Sequence, residues 1–168
     1  MKKWISCILC ILLLTGCAAK QPVIPAPTTP EIIEPNTTEP EAETNIKEIP
    51  LNIFIPNENA DGFETIPTVI DTADAQTVLN MLIEHSMLNA DIELNAAERI
   101  DRQLNLDFNQ AFANQLCSYG TAGERMMMGC VVNTFLSVYD ADCVYITVDG
   151  KTLESGHVIY DFPMEFIE

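Results

Sequence analysis

The sequence predicts an α+β domain: two helices packed on one face of a mixed, largely antiparallel sheet, in a β-α-β-β-α-β-like order. Three observations predict it. Residues 46–168 contain two helical stretches, each with apolar residues at helical spacing. Between and around them lie short runs that alternate apolar and polar residues. Asp149-Gly150, between two such runs, is a tight hairpin signal and favours antiparallel pairing.

The elements follow in order. Leu51-Asn52-Ile53-Phe54-Ile55-Pro56 reads as a strand with Leu51, Ile53 and Ile55 on one face. Asn57 to Gly62 is a turn. Phe63 to Ile70 is extended but contains Pro67, which assigns it to a sheet edge. A helix then begins, capped by Asp71 or Thr72. Ala75, Val78, Leu79, Leu82 and Ile83 form its apolar stripe, and His85 stands near its end, where a cation is favoured. A strand lies around Ile92 to Ala97. From Arg99 to Phe108 the chain alternates, with Ile100, Leu104, Leu106 and Phe108 on one side and Arg102 at the margin. Gln110 to Leu116 is a short helical turn, and Gly120 and Gly123 precede the longest helix, Glu124 to Tyr139. Met127, Cys130, Val131, Phe135 and Val138 line its buried face. Val144, Ile146 and Val148 alternate in a strand, and Val158 to Phe162 forms the last one before Pro163.

Two further materials precede this domain. Lys2 and Lys3 lead an apolar run, Ile5 to Leu14, which is too short to span a bilayer and has signal-peptide length. It ends in Leu14-Thr15-Gly16-Cys17, which resembles the bacterial lipobox. That resemblance implies removal of residues 1–16 and a lipid on the Cys17 sulfur. Acyl chains in pairs anchor stably where one is marginal. Residues 17–45 then hold six prolines, Pro22 to Pro40, and five glutamates, without a glycine or an aromatic residue. Proline removes donors and fixes φ, so this stretch reads as an extended disordered tether. At about 3.1 Å per residue it reaches on the order of 80 Å. The chain is therefore expected at the cell membrane, lipid-anchored and facing outside the cytoplasm.

Charge excludes some partners. The chain carries 8 Lys+Arg against 25 Asp+Glu, for a net charge of -17. Such a surface repels phosphate backbones, so nucleic acid is not expected as a partner.

No constellation points to catalysis or to a cofactor. Asn57, Asn59, Asp61 and Gly62 superficially match a calcium loop, but the twelfth position is Thr68 and prolines flank the loop. No metal is expected there, nor at Asp140, Asp142 and Asp149. Cys117, Cys130 and Cys143 with His85 and His157 permit a cysteine–histidine pair by count alone. The extracytoplasmic compartment permits a disulfide, but reduced, buried thiols are the expectation. There is no phosphate loop, no nucleophile elbow and no H-E-x-x-H motif. Met126, Met127 and Met128 point in three directions on a helix and are read as packing residues.

One stretch carries a family resemblance. Val131-Val132-Asn133-Thr134-Phe135 on a helix is followed by Val144-Tyr145-Ile146-Thr147-Val148-Asp149-Gly150-Lys151, then Leu153 and Gly156-His157. Together with Leu104-Asn105-Leu106-Asp107-Phe108, these residues resemble the GerMN domain of sporulation and spore-germination proteins. Asn95-Ala96-Ala97-Glu98 stands where that family usually has a Pro-Glu-Gly-like turn. The resemblance implies a non-catalytic module, similar to ring-building domains, that interacts with envelope proteins or with its own copies. Asn133, Thr134, Asp149, Gly150 and Gly156 are its structural residues: Asn133 and Thr134 for bonds to a neighbouring loop, Asp149-Gly150 for a turn, Gly156 for a bend. Two alternatives are a cation- or ligand-binding envelope lipoprotein and a cell-wall hydrolase.

Overall fold

The computed structural model describes residues 48–168, so the lipobox-like Leu14–Cys17 and the whole of the expected tether, residues 17–45, lie outside the described residues. Among the described residues the fold is α+β, with three helices and two sheets. Strands β1 (Ile49–Pro56) and β2 (Phe63–Ile70) form an antiparallel hairpin that is a sheet of its own. Helix α1 (Ala75–Glu84) follows. Strands β3 (Leu94–Ile100) and β4 (Gln103–Phe108) are joined by a tight turn. Helices α2 (Gln110–Cys117) and α3 (Thr121–Leu136) lead into β5 (Cys143–Val148), β6 (Lys151–Glu154) and β7 (Ile159–Tyr160). The larger sheet has the order β3-β4-β5-β6-β7, antiparallel except for the β4–β5 pair. That parallel pair requires the long crossover which α2 and α3 supply.

Alternation in β4 and β5 decides which face is covered. Leu104, Leu106, Phe108, Val144, Ile146 and Val148 are all buried, while the residues between them are half-exposed. Phe108 stacks on Phe112 of α2 with ring centroids 4.4 Å apart. Gln115 on α2 accepts from the Asn89 N–H at 2.8 Å and donates to the Met87 carbonyl at 3.1 Å, which ties down the loop after α1.

Several expectations need correction. The single sheet divides in two, and the helical turn at Gln110 is a full helix, making three helices rather than two. The alternating run from Arg99 to Phe108 is not one strand. It reverses at Asp101, whose φ of 54° turns the chain, and Ile100 is 54% exposed on the edge strand. The two-residue turn reverses parity: Ile100 pairs with Gln103 and Leu104 with Arg99, so Ile100 and Leu104 stand on opposite faces although a continuous strand would put them on one. Helix α1 is capped by Asp74, not Asp71 or Thr72: Asp74 is extended and accepts from the Thr77 N–H at 2.8 Å. Helix α3 runs three residues earlier than expected, from Gly120 as N-cap to Ser137 as C-cap, and leaves Val138 half-buried beyond it. The last strand shrinks to Ile159–Tyr160, with Phe162 exposed.

Pro67 fits its strand for a visible reason. Its cross-strand partner is Asn52, whose N–H points away from β2 to Ser137 Oγ at 3.2 Å. Asn52 and Pro67 are therefore a pair without ladder hydrogen bonds, and the missing proline donor lies on the outer edge.

Candidate functional site

Helix α3 is the hub. Its residues from Met126 to Phe135 are all buried, because β1 covers one side and α1, α2 and β5 pack against others. A helix buried all round has to satisfy every polar side chain internally. Asn133 does so with the C-terminal segment: its Nδ2 donates to the Ile167 carbonyl at 2.8 Å and its Oδ1 accepts from the Ile167 N–H at 2.9 Å. Thr134 Oγ1 accepts from the Phe54 N–H at 3.0 Å. The partners are thus the irregular C-terminal segment for Asn133 and the outer edge of β1 for Thr134. Close approach of the hairpin also explains Gly129: a Cβ there would stand 2.0 Å from Phe63 Cζ.

Asp149 and Gly150 join β5 to β6 with φ of 48° and 71°. Two successive positive φ values are what a two-residue hairpin turn of this twist requires, and Asp-Gly supplies them cheaply. Asp107 braces the turn. Its Oδ1 accepts from Thr147 Oγ1 at 2.6 Å and from the Gly150 N–H at 2.8 Å. Asn95, at a bulge in β3, directs Nδ2 to Asp107 Oδ2, to the Phe108 carbonyl and to Asp149 Oδ1, all within 3.1 Å. Desolvation pushes the Asp107 carboxyl up, but the bonds from Thr147, Gly150 and Asn95 outweigh it and hold the carboxyl below its usual value. Gly156 stands apart: it is exposed, a Cβ there would meet nothing within 4 Å, and its φ is not positive.

A cavity of about 350 Å³ lies between the start of α3 and the C-terminal segment. Met128, Val158, Phe162, Pro163, Met164 and Phe166 make its walls largely apolar. Met164 is pinned to Val144 by two backbone bonds, which sets the course of this segment beside β5. Glu124, in the first turn of α3, lines the cavity and is 2% exposed. Tyr160 donates its hydroxyl to Glu124 Oε1 at 2.9 Å, while Oε2 has no hydrogen-bond partner among the described residues. Burial first, then the Glu124 carboxylate, pushes the Tyr160 hydroxyl well above its usual value, so it stays a donor. Arg125 beside it donates to the Glu168 carbonyl. Neither Glu124 nor Tyr160 is among the candidate residues that the sequence motifs mark. The signal was present: Glu124 shares a helical stripe with Met128, Val131 and Phe135, and a carboxylate on an apolar stripe has to be explained.

The remaining candidates are dispersed. Cys130 is buried, Cys143 half-buried and Cys117 exposed, so only one thiol matches the expectation of burial. Burial pushes the Cys130 thiol up to about 12, which makes it a poor nucleophile. Asn57 accepts from the Asp61 N–H at 3.2 Å and donates to Asp61 Oδ1 at 2.9 Å, so the calcium-like loop is a self-bonded turn. Asp142 takes Arg102 in a bidentate pair with both distances 2.6 Å, and Asp140 takes it at 3.0 Å. Among the described residues no group of three or more His, Cys, Asp or Glu is placed to hold a metal ion. No described helix is long and apolar enough to cross a membrane.

Solved structures similar to the chain include the following. One is the crystal structure of a candidate lipoprotein from Clostridium perfringens: 14% identity, TM-score 0.48, covering 70% of this chain and 87% of that one. The second holds the tandem GerMN domains of the sporulation protein GerM from Bacillus subtilis, with 18% identity and TM-score 0.49 over 70% of this chain and 45% of that one. The third is the first GerMN domain of the same protein, with 18% identity and TM-score 0.46 over 71% and 95%. A comparison with curated proteins returns no match. The family model named Germane, for sporulation and spore germination, matches residues 51–154, more than half of the chain and every element from β1 to β6. The chain belongs to the Germane family of sporulation and spore-germination domains.

Proposed function

We propose that this chain is a lipid-anchored envelope protein whose folded part is a non-catalytic interaction or assembly domain serving sporulation, germination or envelope maintenance. The leader is residues 1–16, the lipidated cysteine and tether are residues 17–45, and the interaction domain is residues 46–168. The observation that carries the non-catalytic reading is the use of the family-motif side chains. Asn133, Thr134 and the Asp149-Gly150 turn are engaged with backbone groups or build backbone shape. Side chains spent on backbone are not available to a substrate. Family membership supports the process, and Leu14-Thr15-Gly16-Cys17 supports the anchor.

The test is made in cells. A fatty acid carrying an alkyne tag labels the wild-type chain, and Cys17→Ala removes both the label and the membrane fraction. A photo-crosslinker at Val69 or Ile100, both exposed on strands, then captures a second copy or an envelope protein. An unlabelled wild-type chain would sink the anchor. Recovery of the monomer alone from every crosslinking position would sink the interaction reading.

A further inference from the structure

Three thioethers and one thiol line a second cavity, of about 250 Å³, between the β1–β2 turn, the loop after α1 and the first half of α3. Met126, Met127 and Cys130 come from α3, and Met87 from the loop. On an α-helix, at about 100° per residue, Cys130 falls between Met126 and Met127, about 40° from the one and about 60° from the other. Both methionines are thus helical neighbours of the thiol, with Cβ atoms about 5–6 Å from its own. Of the three consecutive methionines only Met128 turns away, into the cavity beside Glu124. Met87 is half-buried on a fixed backbone: its N–H donates to the Leu82 carbonyl at 2.9 Å, and its carbonyl accepts from Gln115 Nε2 at 3.1 Å. Ala60, Ser86 and Tyr119 line the same cavity and are exposed, so they stand at its mouth.

These donors select an ion. Thioether and thiolate sulfur favour soft metals, copper(I) among them. No carboxylate and no imidazole lines the cavity, so a hard cation finds no charged oxygen and no nitrogen ligand. Charge sets the valence. Thioethers are neutral, so one thiolate balances a monovalent ion but leaves a divalent one with an uncompensated charge among apolar walls. Burial pushes the Cys130 thiol up to about 12, which disfavours the bare thiolate; a neutral metal–thiolate pair escapes that penalty.

We propose that this cavity binds one copper(I) ion, held by the Cys130 thiolate and by the thioethers of Met126, Met127 and Met87. On binding, the Cys130 S–H bond breaks, a copper–sulfur bond forms and the proton passes to solvent. The copper stays in the +1 state, and nothing is oxidised. Cys130 is only 1% exposed, so larger reagents do not reach it. Half-buried Met87 gives a bare ion its first ligand, and the flexible methionine side chains pass it inward. The site is independent of the interaction reading above.

The test uses the full-length chain carrying Cys7→Ala, Cys10→Ala, Cys17→Ala, Cys117→Ala and Cys143→Ala, which leaves Cys130 as its single thiol. Its methionine methyl groups are labelled for NMR. Copper(I) is supplied without oxygen, in competition with a coloured copper(I) chelator. The chain is expected to retain one equivalent, with the Met87, Met126 and Met127 methyl signals shifted and those of Met81 and Met164 unmoved. Met126→Leu and Met127→Leu conserve apolar volume and fold, and each is expected to weaken retention by about tenfold or more. Cys130→Ser is expected to abolish it. Zinc(II) is expected to leave the three methyl signals in place. Loss of all copper to the chelator overturns the proposal. So does retention without those three shifts, undiminished retention when Met126→Leu and Met127→Leu are combined, or zinc bound as tightly as copper. The leucine variants and the zinc comparison decide the matter even where Cys130→Ser does not fold.

Discussion

The Asn133 carboxamide and the Ile167 peptide group form a closed two-bond pair, 2.8 Å and 2.9 Å, between the middle of α3 and the end of the chain. Asn133 is fully buried, so neither bond competes with water. The pair holds the segment that roofs the Glu124 cavity, and so links the core of the fold to its candidate site.

Asn133→Ala is therefore expected to destabilise the chain by about 2–4 kcal/mol, the range for two lost bonds and stranded backbone partners. Chemical denaturation measures the loss. Hydrogen exchange at Ile167 is expected to accelerate more than exchange in β5, because the roof opens before the sheet does. Equal acceleration in both would contradict a local role for the pair.

Gly129 and Phe63 make a second testable pair. A methyl at Gly129 collides with the Phe63 ring, and overpacking of this kind costs about 1–3 kcal/mol against about 1 kcal/mol gained in helix propensity. Gly129→Ala is expected to be destabilising in the native background. In a Phe63→Ala background the same change becomes neutral or stabilising. A double-mutant cycle in denaturant shows whether the two effects couple; additivity would rule out the clash.

The cap of α1 makes stability depend on pH. Bonds from the Thr72 hydroxyl, then the Thr77 N–H and hydroxyl, lower the Asp74 carboxyl from 3.8 to about 2. A depressed carboxyl stabilises the fold above its unfolded value, and that contribution disappears as pH falls through the folded value. Asp74→Ala is thus expected to cost about 1 kcal/mol at neutral pH and clearly less at pH about 2, where the folded carboxyl is half protonated. Asp74→Asn, which caps without a charge, should show a flatter profile. Denaturant midpoints across this range provide the measurement.

Thiol chemistry separates the three cysteines of the domain. In the folded chain an alkylating reagent is expected to modify exposed Cys117 first and half-buried Cys143 more slowly. Cys130, buried with its thiol pushed up to about 12, should react only on unfolding. Mass spectrometry of timed digests reads this order, and early modification of Cys130 would show that α3 opens in the native state.

Much of the fold was legible. The stripe on α1, the alternation of β4 and β5, the proline-marked edge strand and the Asp149-Gly150 turn were readable because each depends on residues close in sequence. The cap was misplaced because Asp71, Thr72 and Asp74 all have capping chemistry, and only the Thr77 N–H selects among them. The turn at Asp101 is hidden because Ile100 is apolar and in phase with Leu104, as in one continuous strand, although the turn places it on the other, exposed face. Glu124 and Tyr160 lie 36 residues apart and acquire a relationship only when β7 is laid beside α3.

By itself, the sequence determined the periodic elements, the acidic balance and the family pattern, since composition and local spacing are properties of the chain. Only the tertiary structure decided that α3 is buried on every side from Met126 to Phe135, that Asn133 and Thr134 are bound to backbone, and that one oxygen of Glu124 is buried unpaired among the described residues. The physical reason is that burial and hydrogen-bond partnership depend on which distant segments meet, and no local period encodes that meeting.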